Sequence, residues 1–162
     1  VIRTAPRSNR HTMHTERNGE TTARHECILI VDDEELVRLV IRSVLSQAGY
    51  RVVEAEDGED AIRKFGQAPN QYALMIIDMR MPGLSGWDTL ARIRQTHACA
   101  RAVLVSGIYC EKTEGVRIPG VRFLLKPFTN EELLGTVRQT LDEPLAPALD
   151  RPSHAVMGQP RQ

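Results

Sequence analysis

Four apolar runs, rich in branched residues, are each followed directly by a polar group. Asp32 and Asp33 follow one run, Asp78 follows a second, and Ser106 and Lys126 follow two more. Carboxylates held close together raise one another's pKa unless a cation lies among them. Magnesium, a hard cation that takes oxygen ligands and keeps some waters, suits such a set. With a lysine and a hydroxyl added, the set suits an incoming phosphoryl group, whose oxygens need neutralising charge.

These side chains can meet only if the apolar runs form one sheet. Apolar strands that alternate with amphipathic helices predict a parallel sheet covered on both faces. In such sheets, ligands bind outside the carboxyl ends of the strands, where the polar groups lie. The predicted strands are 27–31, 51–55, 74–77, 102–105 and 123–125, and the predicted helices are 34–48, 58–65, 87–96, 109–119 and 130–141.

Local signals predict how these elements begin and turn. Asp33 is expected to cap the first helix and Asn130 the last, because both side chains can accept a hydrogen bond from a free N–H of the first turn. Gly83 and Gly86 are expected to serve turn geometry alone, in a loop rich in proline and glycine. The fourth helix contains a glycine and a proline, so it must be short or irregular.

Composition limits the possible classes of protein. The 162 residues suffice for one domain with a real core. Residues 26–143 carry 14 Lys+Arg against 18 Asp+Glu, and this acidic balance argues against DNA as a direct partner. The polar segments 1–25 and 144–162 are expected to be disordered tails. No output domain is expected, because the last segment leaves no room for a helix-turn-helix.

The cysteines and the apolar runs point to a cytoplasmic protein. Cys27, Cys99 and Cys110 form neither a disulfide framework nor a zinc pattern, so we expect reduced thiols in an intracellular chain. No apolar run is long enough to span a membrane.

The polar strand ends lie within motifs that resemble the receiver domain of bacterial response regulators. The resemblance covers about residues 26–143 and follows the family's order along the chain. The resemblance implies the flavodoxin-like (βα)5 fold, a five-stranded parallel sheet in the order 2-1-3-4-5 with helices on both faces. The four runs that carry the resemblance are Val31-Asp32-Asp33-Glu34, Ile77-Asp78-Met79-Arg80-Met81-Pro82-Gly83, Val105-Ser106-Gly107 and Leu125-Lys126-Pro127-Phe128.

The resemblance implies a role for each residue that would touch the phosphoryl group. Asp78 would be the acceptor. Ser106 would hydrogen-bond a phosphoryl oxygen and move as the group arrives, and Lys126 would pair with the group. Phe123 stands where the family places its switch aromatic, although a plain core role is an equal alternative. The Lys126–Pro127 peptide bond is usually cis in the family.

The resemblance also implies a magnesium site. Asp33 would bind Mg²⁺ directly, with Asp32 in or next to its shell, and Asp78 and the backbone carbonyl of Arg80 would complete the protein ligands. The side chain of Arg80 would place a cation at the site mouth, and Ile108 could screen the site from water. Together we expect these two residues to modify the rate of dephosphorylation.

The function implied is a two-component receiver that accepts a phosphoryl group from a histidine kinase or a histidine phosphotransfer protein. Phosphorylation would switch protein contacts with a target that the sequence does not name, and the receiver would have no enzymatic turnover on a separate substrate. One alternative is an adaptor that works without phosphorylation. Another is a haloacid-dehalogenase-like phosphatase, which would want an aspartate where this chain has Arg80. The chain could be a stand-alone receiver or the terminal receiver of a hybrid kinase.

Overall fold

Five parallel strands form one sheet in a computed structural model that describes residues 26–107 and 118–144. The strands are β1 Cys27–Val31, β2 Arg51–Ala55, β3 Tyr72–Asp78, β4 Ala102–Ser106 and β5 Val121–Leu125. Their order is β2-β1-β3-β4-β5, which confirms the flavodoxin-like topology. The helices of the described residues are α1 Glu35–Gln47, α2 Gly58–Gln67, α3 Gly86–Thr96 and α4 Asn130–Asp142.

The register of the sheet brings the carboxyl ends of its central strands level with one another. Val31 pairs with Ile77 and Asp78 pairs with Val105, one residue before the end of β4. Between β4 and β5, Ser106 pairs with Leu125. Because all the strands run in one direction, the residues that end or follow β1, β3, β4 and β5 share a single edge, which we call the carboxyl edge.

Each face of the sheet buries its own apolar core. Successive residues of β1 point to opposite faces, and all five of them are buried. Helices α1 and α4 cover one face, whose core includes Ile28, Ile30, Ile41, Leu45, Leu133 and Val137. Helices α2 and α3 cover the other, whose core includes Leu29, Val31, Ala61, Phe65, Leu90 and Ile93. Each such aliphatic side chain contributes about 1.5–3 kcal/mol on full burial, so both faces hold the sheet in place.

Two predicted helix caps are wrong. Helix α1 has Glu34 at its N-cap with no side-chain cap hydrogen bond, so Asp33 does not cap it. Helix α4 includes Asn130 as its first residue and is capped by Thr129, whose Oγ1 accepts from Glu132 N at 3.2 Å. Glu132 Oε2 in turn accepts from Thr129 N at 2.7 Å. This reciprocal capping box selects Thr129 over its neighbour, because only Thr129 has a glutamate three residues ahead.

Several predictions fall outside the described residues. They concern the tails 1–25 and 145–162, Ile108, Cys110 and most of the predicted helix over 109–119. Of the other cysteines, Cys27 is buried and Cys99 is exposed, and both are free thiols. Across residues 26–107 and 118–144, no helix has both the length and the apolar character needed to cross a membrane.

Candidate functional site

One lysine lies between two buried carboxylates at the carboxyl edge. Asp32 directly follows β1 and is 2% exposed, and Asp78 ends β3 and is 8% exposed. Lys126 Nζ donates to Asp78 Oδ1 at 2.7 Å and to Asp32 Oδ2 at 3.2 Å. Lys126 reaches them because it directly follows β5, where its backbone N–H donates to Ser106 O at 2.7 Å. Three separate strand ends therefore meet through one ammonium group.

Burial leaves the charge of Asp32 only partly compensated. Burial raises the pKa of Asp32, and the hydrogen bond from Glu34 N and the charge of Lys126 offset only part of that rise. Burial by itself lowers the pKa of Lys126, but its hydrogen bond to Asp78 and the charges of both aspartates outweigh burial and raise the pKa overall. The lysine is thus held in its charged form, while a further cation beside Asp32 would relieve the remaining cost of burying its charge.

The chain itself orients both carboxylates. Asp78 Oδ2 accepts from Arg80 N at 2.7 Å, and Asp32 Oδ1 accepts from Glu34 N at 2.9 Å, so each carboxylate closes a turn onto the N–H two residues ahead. The backbone carbonyl of Asp32 is held as well, because Arg38 Nη1 donates to Asp32 O at 2.6 Å. These bonds fix the direction of the side chains before any ligand arrives.

The expected convergence of three carboxylates is only partly seen. Asp32 and Asp78 come together, whereas Asp33 is exposed. Across residues 26–107 and 118–144, no three Asp, Glu, His or Cys side chains form a group that could hold a metal ion. The donor set nevertheless fits magnesium, because this ion keeps several waters and is usually held by only one or two carboxylates. The under-compensated charge of Asp32 supports the same fit.

The remaining predicted residues occupy the same edge or the core behind it. Ser106 ends β4, is partly buried and adjoins Lys126 through the backbone. Phe123 lies within β5, where it is partly buried and packs against the core beneath α2 and α3. The Lys126–Pro127 peptide bond is cis, as predicted.

The side chain of Arg80 extends from the end of β3 towards the end of β4. A Cβ built on Gly107 would lie 3.7 Å from Arg80 Nη2, so the guanidinium group is in van der Waals range of the residue after Ser106. Arg80 is exposed. A second cation, in addition to the partly buried Lys126, therefore lies near the mouth of the site.

An exposed apolar surface that was not predicted from the sequence lies on α1, next to this edge. Leu36, Leu39 and Val40 of α1 are 75%, 47% and 60% exposed, and we call them the α1 apolar patch. The buried residues of the same helix are Ile41 and Leu45. The signal was present in the sequence, because apolar residues at 36, 37, 39, 40, 41, 44 and 45 make a stripe too wide for one buried face.

The geometry and the sequence agree with one known family. Residues 28–138 match the response regulator receiver domain, which is well over half of the chain. The chain belongs to this family. It therefore contains the receiver domain of a two-component response regulator, which is a signalling module and not a classical enzyme.

Individual relatives support the assignment. The chain is 34% identical over 116 residues to the uncharacterized transcriptional regulatory protein YkoG of Bacillus subtilis, covering 70% of this chain and 50% of YkoG. Among solved structures, it resembles the response regulator TrrA of Thermotoga maritima in complex with Mg²⁺ and BeF, at 31% identity and a TM-score of 0.63, covering 71% of this chain and 98% of that one. It also resembles the receiver domain of the hybrid histidine kinase CckA, at 34% identity and a TM-score of 0.60, with the same coverage.

These relatives differ in what accompanies the receiver. The chain spans about half the length of the curated relatives that it matches, and those relatives are named as transcriptional regulators. The match to CckA shows that the receiver of a hybrid kinase is also similar in fold to this chain. Of the two settings predicted from the sequence, a stand-alone receiver and the terminal receiver of a hybrid kinase, CckA provides an example of a receiver from a hybrid kinase.

Proposed function

We propose that this protein accepts a phosphoryl group on Asp78 from a histidine kinase or a histidine phosphotransfer protein, in a reaction that requires Mg²⁺. The observation that carries the proposal is the placement of Lys126 between the buried carboxylates of Asp78 and Asp32. A buried nucleophile beside a fixed ammonium group is what phosphoryl transfer needs, because its catalysis is mostly positioning and charge neutralisation.

The transfer exchanges one bond to phosphorus for another. A carboxylate oxygen of Asp78 attacks the phosphorus and forms an acyl phosphate, while the bond from phosphorus to the donor's histidine nitrogen breaks and the imidazole keeps the electron pair. Lys126 moves its hydrogen bonds towards the new phosphoryl oxygens. The hydroxyl of Ser106, at the end of the neighbouring strand, is the proposed donor to another of these oxygens, and Phe123 is the proposed switch aromatic behind it.

Asp32, Asp33, Asp78 and the backbone carbonyl of Arg80 are the proposed magnesium ligands. Bound Mg²⁺ supplies positive charge to the phosphoryl oxygens during transfer. TrrA, which is similar to this chain, was solved with Mg²⁺ and BeF. Asp33 is exposed, so this carboxylate is free to turn towards an ion beside Asp32.

The α1 apolar patch supports a protein as the phosphoryl donor. Helix α1 begins three residues after Asp32, so its first turns flank the carboxyl edge. Exposed leucine and valine side chains at such a position suit contact with an apolar surface of a partner. A small phosphodonor has no use for the patch. Changing Val40 to Glu should therefore slow transfer from a protein donor and leave phosphorylation by acetyl phosphate unchanged.

The decisive experiment is a phosphorylation assay with acetyl phosphate, with and without Mg²⁺. Borohydride reduction of the product and mass spectrometry identify the modified residue. We expect Mg²⁺-dependent labelling at residue 78 of the wild type, no label in Asp78→Asn, and normal labelling in Asp142→Asn, which changes an exposed carboxylate near the end of α4. Label that persists in Asp78→Asn, or that forms equally well in the presence of a chelator, would contradict the proposal.

Phosphorylation is proposed to act through protein contacts, without direct binding of nucleic acid by the receiver and in the cytoplasm. An adaptor that works without phosphorylation would bind its target equally well with Asp78→Asn. A haloacid-dehalogenase-like phosphatase would release phosphate from an added ester at a steady rate, although Arg80 stands where such an enzyme wants its second aspartate. Target binding by Asp78→Asn and turnover of an added ester therefore separate these two alternatives from the proposed function.

A further inference from the structure

Gly86 lies closer to the backbone of Asp78 than any side chain would allow. A Cβ built on Gly86 would lie 2.2 Å from Asp78 O, 2.9 Å from Asp78 C and 3.1 Å from Ile77 Cγ2. The first two distances are well inside van der Waals contact. Turn geometry does not explain this glycine: Gly83 has a φ of 76° and fits that prediction, whereas Gly86 is not among the described glycines with positive φ. Gly86 is the first residue of α3, and it is buried.

This contact joins α3 to the backbone that follows Asp78. Gly86 N donates to Met79 O at 3.2 Å, and Met79 N donates to Val105 O at 2.8 Å. One residue later, Arg80 N donates to Asp78 Oδ2 at 2.7 Å. The peptide groups that orient the Asp78 carboxylate are therefore held between β4 on one side and the start of α3 on the other.

The start of α3 is itself held in place. Ser85 Oγ accepts from Asp88 N at 3.1 Å and donates to Asp88 Oδ2 at 2.6 Å. Thr89 Oγ1 donates to Ser85 O at 2.8 Å. From α2, Gly58 packs against the same turn, and a Cβ built there would lie 2.2 Å from Thr89 Oγ1. This cap keeps the first turn of α3 in shape, and the close contact with Gly58 ties that turn to α2.

We propose that Gly86 is a positioning residue for phosphoryl acceptance at Asp78. The lack of a side chain lets α3 begin directly against the Asp78 carbonyl, and this contact holds residues 78–80 where the Arg80 N–H orients the carboxylate. The inference rests on the proposed function of Asp78. It adds that the rate of acceptance depends on a helix contact outside the charged cluster.

The test is the rate of phosphorylation of Gly86→Ala by acetyl phosphate at a fixed Mg²⁺ concentration. Alanine ordinarily stabilises a helix more than glycine does. A slower reaction in Gly86→Ala is therefore due to the close contact with Asp78 and not to a weaker helix. Small displacements of a reacting group have large effects on rate, and we expect Gly86→Ala to be about tenfold slower or more. Gly135→Ala is the matched control, because a Cβ at this position of α4 meets nothing within 4 Å. Its rate should stay within about twofold of wild type.

A second control separates positioning from stability. Ile93→Ala removes a core side chain that is 3% exposed and that lies in the same helix, seven residues after Gly86. It should lower the thermal midpoint but leave the rate within about twofold, when all variants are measured at a temperature where circular dichroism shows them folded. The affinity for Mg²⁺, followed by amide chemical shifts, should weaken in Gly86→Ala and not in Ile93→Ala, because the Arg80 carbonyl belongs to the held segment.

The inference is wrong if folded Gly86→Ala matches the wild-type rate, or if Ile93→Ala slows the reaction as much. If Gly86→Ala does not fold, Ser85→Ala tests the same contact by loosening the start of α3 without adding atoms. Loss of this cap should slow the reaction about threefold, and an unchanged rate would overturn the inference. A wild type that is not phosphorylated at Asp78 contradicts the proposed function, whereas a labelled wild type with an unimpaired Gly86→Ala contradicts only this inference.

Discussion

Two clusters in this protein pair buried aspartate with lysine, and they differ in their balance of charge. At the start of α2, Asp60 is 6% exposed and faces two cations: Lys64 Nζ lies 2.7 Å from Asp60 Oδ2, and Arg63 Nη2 bonds Asp60 Oδ1. Glu56 N donates to the same carboxylate at 3.4 Å. We call Asp60, Arg63 and Lys64 the α2 cluster.

The cluster at the carboxyl edge has the opposite balance, because the ion pairs that Asp32 and Asp78 form within the described part of the chain are both with Lys126. Burial tends to raise the pKa of Asp60, but the hydrogen bond and charge of Lys64, the hydrogen bond from Glu56 N and the charge of Arg63 together outweigh it and lower that pKa overall. For Asp32, burial dominates and the pKa is raised. A carboxylate that is paired with two cations is fully neutralised and contributes to stability. Two carboxylates that share one cation keep a net negative charge, which attracts another cation. Charge balance therefore distinguishes the proposed phosphoryl site from the α2 cluster.

The largest predicted difference is in phosphorylation rate. Lys126→Ala removes the ammonium group that lies between the two edge carboxylates, and we expect phosphorylation by acetyl phosphate to fall by about 100-fold or more. Lys64→Ala is the matched control, since it removes a lysine from the α2 cluster, and its rate should stay within about twofold of wild type. The comparison fails if the two variants lose similar amounts of activity.

The next difference is in the free energy of unfolding, for which a substitution in the α2 cluster should have the larger effect. Asp60→Asn exchanges a charged acceptor of several hydrogen bonds for a neutral one, so the free energy of unfolding should fall by about 1–2 kcal/mol. Asp32→Asn removes a charge that burial disfavours, so the free energy of unfolding should rise or stay level. Urea denaturation measures both. A loss in Asp32→Asn equal to that in Asp60→Asn would show that the two clusters are held together in the same way.

Much of this site could be predicted because its parts lie where apolar strands end. Asp32, Asp78, Ser106 and Lys126 each end or follow an apolar run that is typical of a strand, and parallel strands bring their carboxyl ends to one edge. The balance of charge could not be predicted in the same way. Sequence spacing does not show how deeply Asp60 is buried or that Arg63 and Lys64 both turn back to it.

Other features could not be predicted from the sequence, either because neighbouring residues compete for the same role or because the contact joins residues far apart in the chain. Asn130 and Thr129 are both good caps, and the choice depends on a reciprocal bond with Glu132. Gly86 follows a proline- and glycine-rich loop, and only the folded chain shows that it touches the backbone of Asp78. The width of the apolar stripe on α1 contained the signal for exposed Leu36, but burial on one face was the simpler expectation.

Magnesium should stabilise the protein through the cluster at the carboxyl edge and not through the α2 cluster. A ligand that binds only the folded state at ten times its dissociation constant adds about 1.4 kcal/mol to the free energy of unfolding. We expect this increment in the wild type and in Asp60→Asn, and a much smaller one in Asp32→Asn. Thermal unfolding with and without Mg²⁺ measures it. An undiminished increment in Asp32→Asn would place the ion elsewhere on the protein.

The smallest expected effect is the pH dependence of the α2 cluster. The pKa of Asp60 lies below its ordinary value of 3.8 in the folded protein. Its contribution to stability is therefore present above that value and is lost as the pH falls through the lower folded pKa, where the folded state also takes up the proton. The stability difference between wild type and Asp60→Asn should be constant near neutral pH and should shrink only below about pH 4. Urea midpoints of the two proteins, compared at falling pH, measure this difference. A difference that already declines between about pH 6 and pH 5 would mean that Asp60 is protonated more easily than its two cations allow, and the contrast with Asp32 would be lost.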